Sequence, residues 1–295
     1  MRETNGFAEL RKKFSVAGNL PELPEAALKL IHTLEGSDVS LAEVERIITG
    51  DPALTAAVIR SAASAIFGGV ENISTVRGAI ARLGLSAVQA VGVSLGVQAL
   101  IGRSGASPMF DHTRYARHSV FVGFMSRYLF ACRHNHRPFN TKYARDEIFA
   151  AGILHETGLG LLARVDAEAY GYIFARAKRE STTLVQAFEK TYGSSIHRLA
   201  LIAAETWRLP PMFLEVLGNL HDPLGHETEK VALACLSYAE FLANEHHHGM
   251  TQWTANDPFP QDVLDEVALP EDDVPGVVML VSRHTAAYVP LARAA

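Results

Sequence analysis

The chain has few cysteines. Cys132 and Cys235 are the two present, far apart and outside any pairing motif. A disulfide framework is therefore excluded as an organising device, and the usage reads as that of a reduced, cytoplasmic protein. A basic excess is also missing. The net charge is −5, so the sequence has no clear nucleic-acid footprint. No run approaches the ~18 uninterrupted apolar residues that a membrane-spanning helix needs. The longest weakly polar stretch, Ala87 to Ile101, is interrupted by Gln89, Ser94 and Gln98 and reads as a buried helix. Met1 to Lys13 carries charges of both signs and no apolar core, so no signal peptide is expected. Alternation of apolar and polar residues never lasts long enough for a strand, and the expected fold class is all-α.

What the chain has is core material: 48% of its 295 residues are apolar, and only 20% are charged, which argues against long disorder. Leu23, Ala26, Ala27, Leu30, Ile31 and Leu34 form the stripe of an amphipathic helix. Ser40 and Glu43 have the spacing of a capping box before Leu41, Val44, Ile47 and Ile48. Asp51-Pro52 opens the next helix, and Ser74 is placed to cap another that Gly84 ends. Gly102 to Pro108 reads as a junction. Beyond it, helices are expected over Phe110 to Cys132 and Tyr143 to about Arg164, then from Asp166 and Ser181. Tyr192-Gly193 and Leu209-Pro210-Pro211 are breaks, Glu227 to about Glu245 is helical, and Pro260 to Val267 and Glu271 to His284 form a tail. A local basic patch, Arg127, Arg133, His134, His136, Arg137, Lys142 and Arg145, reads as a solvated helix end and loop.

The chemistry-bearing stretch is Ile153-Leu154-His155-Glu156-Thr157-Gly158. An apolar run ends in an adjacent imidazole and carboxylate, followed by a small residue. Such a pair suits metal ligation with hydrolysis, or a hydrogen-bonded polar spot in a core. His118 taken alone is commoner as a core histidine bonded to a carbonyl. His246-His247-His248 reads as an exposed helix-end cluster.

Two ordered sets of residues resemble the HDOD domain, a divergent relative of the HD metal-dependent phosphohydrolases. The first set is Leu20-Pro21-Glu22-Leu23-Pro24, Ile47-Ile48, Asp51-Pro52-Ala53-Leu54-Thr55, Ser64-Ala65-Ile66-Phe67-Gly68, Ile73-Ser74-Thr75-Val76 and Ala79 to Gly84. The second is Arg117-His118-Ser119, Gly152 to Gly158, Tyr192-Gly193 with His197, Trp207-Arg208-Leu209-Pro210, and His221-Asp222. Ala63 departs from the Asn usual in the family. The resemblance implies a two-lobed helical bundle with an HD-like C-terminal lobe, one domain over 15–285. Its parts are a helical lobe at 15–102, the HD-like lobe at 108–250 and a helical tail at 251–290.

By resemblance, the ligand positions are His118, His155, Glu156, His197, His221, Asp222 and Glu240, suited to Fe, Mn, Ni or Zn. Glu156 and Glu240 stand where HD enzymes have Asp. The extra methylene carries a carboxylate on the order of an ångström further out, against a tolerance of ~0.5 Å for a catalytic group. Leu159 replaces the Lys of the HD-GYP phosphodiesterases, and Gly171-Tyr172 is followed by Ile173 rather than Pro. The expectation is a bacterial signal-transduction module, non-catalytic, that requires no cofactor and binds a signalling protein partner, with a nucleotide as second choice. The alternative is a metal-dependent phosphohydrolase with a His-Glu site.

Overall fold

The computed structural model describes residues 5–16, 18–35, 40–63, 73–102, 106–136, 139, 141–220, 222–225, 229–251 and 258–292. Among them there is no β-strand, and the all-α expectation holds. The Ser64-to-Gly68 motif, Arg137 and His221 lie outside the described residues.

The N-terminal half is built on α6 (Leu85–Gly102), an apolar helix against which α2 (Glu25–Glu35), α4 (Pro52–Ala63) and α5 (Val76–Leu83) pack. Its small residues permit the close approach. A Cβ on Gly96 would stand 2.6 Å from the Ala27 Cβ. Asp51 caps α4 as expected, its Oδ1 accepting from the Leu54 N–H at 3.0 Å. Two caps differ from expectation by their neighbours' geometry. Ser40 precedes α3 (Leu41–Thr49) without a side-chain cap bond, offering only its carbonyl to the Glu43 and Val44 N–H groups. Thr75, rather than Ser74, caps α5, because the hydroxyl that reaches the Gly78 N–H at 3.0 Å is one residue later.

In the second half the central element is α7 (His112–His136), which packs on α8 (Arg145–Leu154), α14 (Lys230–Glu245) and α16 (Val274–Ala292). Next come α9 (Thr157–Val165), α10 (Ala167–Glu180), α11 (Leu184–Tyr192), α12 (His197–Thr206) and α13 (Pro211–Asn219). Asp166 caps α10 through the Ala169 N–H. Ser181 does not cap α11. It ends α10 in the left-handed region at φ 52°, and Thr183 forms a capping box with Gln186. The expected single helix over Tyr143 to Arg164 is two, broken at His155-Glu156. The stretch Arg145–Val165 is the one among the described residues long and apolar enough to cross a membrane, and most of it is buried inside the protein.

The chain ends depart most from expectation. Residues Asn5–Ser15 form α1, whose Phe7, Leu10 and Phe14 are buried against α11 and α12. That i, i+3, i+7 stripe was legible in the sequence. After α15 (Gln261–Val267), α16 runs to Ala292 and touches α4, α6 and α7, bridging both halves. The basic patch is partly internal. Arg127 pairs with Asp146 at 2.7 Å, and the buried Arg133 donates to the Glu266 carbonyl at 2.7 Å. Both are tied down rather than solvated.

Candidate metal centre

The site forms where α7 crosses the end of α8 and the middle of α14. Gly152 and Gly123 allow the crossing, since a Cβ on Gly152 would lie 2.6 Å from the Gly123 Cα. Three residues later the helix breaks. The His155 Nδ1–H donates to the Gly152 carbonyl at 2.6 Å, the acceptor an unbroken helix would offer to the Glu156 N–H. Glu156 takes φ −97° and ψ 17°, in the sparsely populated bridge region. Gly158 then seats α9 on α12, where a Cβ would be 2.4 Å from the Ile196 carbonyl oxygen.

His118, His155, Glu156 and Glu240 converge, with one ligand atom from each lying within 4.8 Å of all the others. The two Nε2 atoms are 3.2 Å apart. Glu240 Oε2 is 2.9 Å from both, and Glu156 Oε2 is 3.3 Å from His118 Nε2. The tautomers follow from the other ring nitrogens. His155 Nδ1 faces the Gly152 carbonyl, and His118 Nδ1 faces the His248 carbonyl at 3.1 Å. A carbonyl only accepts, so both Nδ1 atoms carry the proton and both neutral rings point a bare Nε2 inward.

Four acceptors thus face one another in an enclosed space. His118 is 0%, His155 1% and Glu156 2% exposed. Such a set is stable only with a cation or protons among them. Burial opposes charge on His118, but the Glu240 and Glu156 carboxylates outweigh it and raise its pKa to about 9. Burial also works against charge on Glu240, yet the two imidazoles hold its carboxyl well below the usual range. Burial pushes Glu156 up, against the pull of His118. Among the described residues, Glu156 Oε2 has no hydrogen-bond partner. An orphaned buried carboxylate oxygen beside two oriented imidazoles fits a divalent metal of the Mn, Fe, Ni or Zn kind.

The remaining sequence candidates stand elsewhere. His197 is not in the cluster. It is buried at the start of α12, where its Nδ1 meets Ser195 Oγ at 2.9 Å and its N–H donates to the same hydroxyl. Asp222 is exposed in a turn and packs over Gly225, so it is not in the cluster either. Sequence reading also misplaced His248. It is partly buried, its ring stacked on Phe121 at 4.1 Å, and burial, with the Arg117 and His118 charges, lowers its pKa to about 4. Only its neighbours His246 and His247 are exposed.

The sequence profile of the HDOD domain matches residues 20–223. The chain belongs to the HDOD family. No curated protein sequence matches it. Among solved structures, an HDOD domain protein of unknown function from Geobacter sulfurreducens is 20% identical, with a TM-score of 0.67 and 97% of each chain covered. A protein from Shewanella amazonensis, provisionally named a metal-dependent phosphohydrolase, is 20% identical with a TM-score of 0.69 over 96% of each chain. A provisionally named signal transduction protein from Marinobacter aquaeolei is 18% identical with a TM-score of 0.69, and the match covers 99% of this chain and 62% of that one. These likenesses establish a shared HDOD fold. Glu240, the fourth member of the cluster, lies beyond the family match of 20–223.

Proposed function

We propose that this HDOD protein is a bacterial signalling module that acts by binding a protein partner, with its HD-like centre retained as a metal-holding pin rather than a hydrolytic site. The observation that carries this reading is the enclosure of the cluster. Three of its four side chains are 2% exposed or less, and the fourth, Glu240, is 23% exposed. A hydrolytic metal site needs a position open to water and substrate. Residues His118, His155, Glu156 and Glu240 would hold the ion. When bound, it would neutralise the carboxylates and tie α7, the α8–α9 break and α14 together. Leu159, apolar and fully buried, stands where the HD-GYP phosphodiesterases have Lys, which supports the same view.

The second reading, a phosphohydrolase, draws on one observation. A cavity of about 320 Å³ is lined by Asp111, Arg114, Tyr170, Lys178 and Met250, and the Tyr170 phenol is pushed up by burial and then by the Glu156 charge. The test is incubation of the Mn- or Fe-loaded protein with cyclic dinucleotides, nucleoside triphosphates and a generic phosphodiester. Turnover above ~1 per second, inside the ordinary enzyme range, would overturn the non-catalytic reading. Elemental analysis of tag-free protein tests the metal separately.

A further inference from the structure

The segment after α14 is laid along α7 by its main chain. His247 turns at φ 62°, and the carbonyls of His247, His248 and Gly249 face Arg117 Nη2 at 3.2 Å, His118 Nδ1 at 3.1 Å and Arg114 Nη1 at 3.5 Å. The middle contact fixes which nitrogen of His118 carries the proton and therefore which one faces the cluster. The His248 backbone N–H donates to the Ala243 carbonyl at 2.8 Å, and its ring is anchored at two points. One face lies on Phe121, with ring planes 15° apart, and its Nε2 shares a 2.8 Å hydrogen bond with Ser282 Oγ on α16.

We infer that His248 and Ser282 are positioning residues for His118, so that the seating of α16 sets how tightly the cluster holds its ion. The relay runs from Ser282 Oγ to the His248 ring, through that residue's own carbonyl, to His118 Nδ1. Partners of this kind orient a ligating imidazole and raise its basicity, and losing one typically weakens metal binding 10–100-fold. Both positioning residues lie outside the 20–223 family match, so the relay is carried by the C-terminal part of this chain. The inference rests on the metal-holding reading of the cluster.

The experiment uses the metal-stripped 295-residue chain and Mn²⁺ in titration calorimetry. Wild type, Ser282→Ala, Ser282→Thr and His118→Ala are compared, with circular dichroism to confirm folding. Ser282→Ala is expected to weaken Mn²⁺ binding about tenfold, Ser282→Thr to keep wild-type affinity, and His118→Ala to abolish binding. Wild-type affinity in Ser282→Ala, or equal loss in the Thr variant, overturns the relay while leaving the metal reading intact. A wild type that takes up no Mn²⁺ overturns the metal reading instead. The relay is then decided in the metal-free protein by the slowly exchanging His118 Nδ1–H resonance. Its loss in Ser282→Ala supports the positioning role, and its persistence overturns it.

Discussion

Gly123 and Gly152 meet backbone to backbone where α7 crosses α8. A Cβ on Gly152 would lie 2.6 Å from the Gly123 Cα, 2.8 Å from Ser126 Oγ and 2.9 Å from the Gly123 nitrogen. The obstacles are mostly main chain and cannot swing aside. The contact sits one turn before His155 and little more than one turn after His118, so the helix spacing here sets the distance between the imidazoles. Gly152→Ala gains up to ~1 kcal/mol of helix propensity but forces the helices apart, at a cost of about 1–3 kcal/mol. The expected result is a net loss of stability in urea unfolding, together with weakened metal uptake. An unchanged midpoint and unchanged Mn²⁺ affinity would show that the crossing does not control the site.

The four-residue set makes a sharper claim than the wider set read from sequence. Metal content is expected to disappear in His118→Ala and His155→Ala and to fall in Glu240→Gln, each by more than the roughly 10–100-fold typical of an outer partner. His197→Ala and Asp222→Ala are expected to retain it, because neither residue is in the cluster. Elemental analysis of the purified variants is the measurement. Loss of metal in the Asp222 variant with retention in Glu240→Gln would refute the assignment.

Without metal, protons must neutralise the cluster, and stability then depends on pH. His118 has its folded pKa raised from 6.5 to about 9. Its contribution is fully present below 6.5 and is lost as pH rises through about 9, a change on the order of 3 kcal/mol. Glu156, also raised, acts in the same direction. Glu240, depressed, contributes above its ordinary value of 4.5 and loses that contribution as pH falls through its folded value. Metal-stripped protein is therefore expected to melt at a lower temperature at pH 9.5 than at pH 7, and Mn²⁺ to remove most of that difference. Equal melting temperatures at the two pH values in the metal-free state would contradict the arrangement of charges.

Local signals in the sequence carried much of the helical frame. Asp51-Pro52, Asp166 and Gly193 mark helix ends through side-chain and backbone chemistry that acts within a few residues, and each falls where expected. The break at His155-Glu156 was not legible, because nothing in Ile153 to Gly158 forbids a helix. The break depends on a ring nitrogen reaching back to Gly152 and on Gly158 seating against Ile196 of a distant helix. Glu156 Oε2 lies 3.3 Å from His118 Nε2, so the longer side chain at position 156 still reaches the cluster. His248 was misread for a related reason: a run of three histidines looks solvated until α16, far along the chain, covers one of them.

Two pieces of the family resemblance turn out to touch. The Trp207 indole N–H donates to the Pro21 carbonyl at 3.1 Å, joining segments 186 residues apart. Trp207 is 7% exposed, so the bond is largely shielded. Trp207→Phe keeps most of the apolar volume and strands the carbonyl, at an expected cost of about 1–3 kcal/mol in urea unfolding. If the variant is as stable as wild type, the strap between the Leu20-to-Pro24 segment and the end of α12 contributes nothing to holding the halves together.

Glu156→Asp separates the reading of the cluster as a built site from its reading as an eroded enzyme. If Glu156 were a neutral drift from Asp, restoring Asp would strengthen metal binding and bring the centre closer to a hydrolase. The geometry predicts the reverse. The backbone at 156 leaves helical geometry at φ −97° and ψ 17°, and from there the Glu side chain places Oε2 at 3.3 Å from His118 Nε2. Shortening it withdraws the carboxylate by on the order of an ångström, beyond the ~0.5 Å that a metal site tolerates. The shorter acid would also leave space in a fully buried position, where cavities cost stability. Glu156→Asp is therefore expected to bind Mn²⁺ more weakly than wild type in calorimetry, and to gain no phosphodiesterase turnover. Tighter binding with new turnover would mean that the site is an HD hydrolase one methylene away from its chemistry.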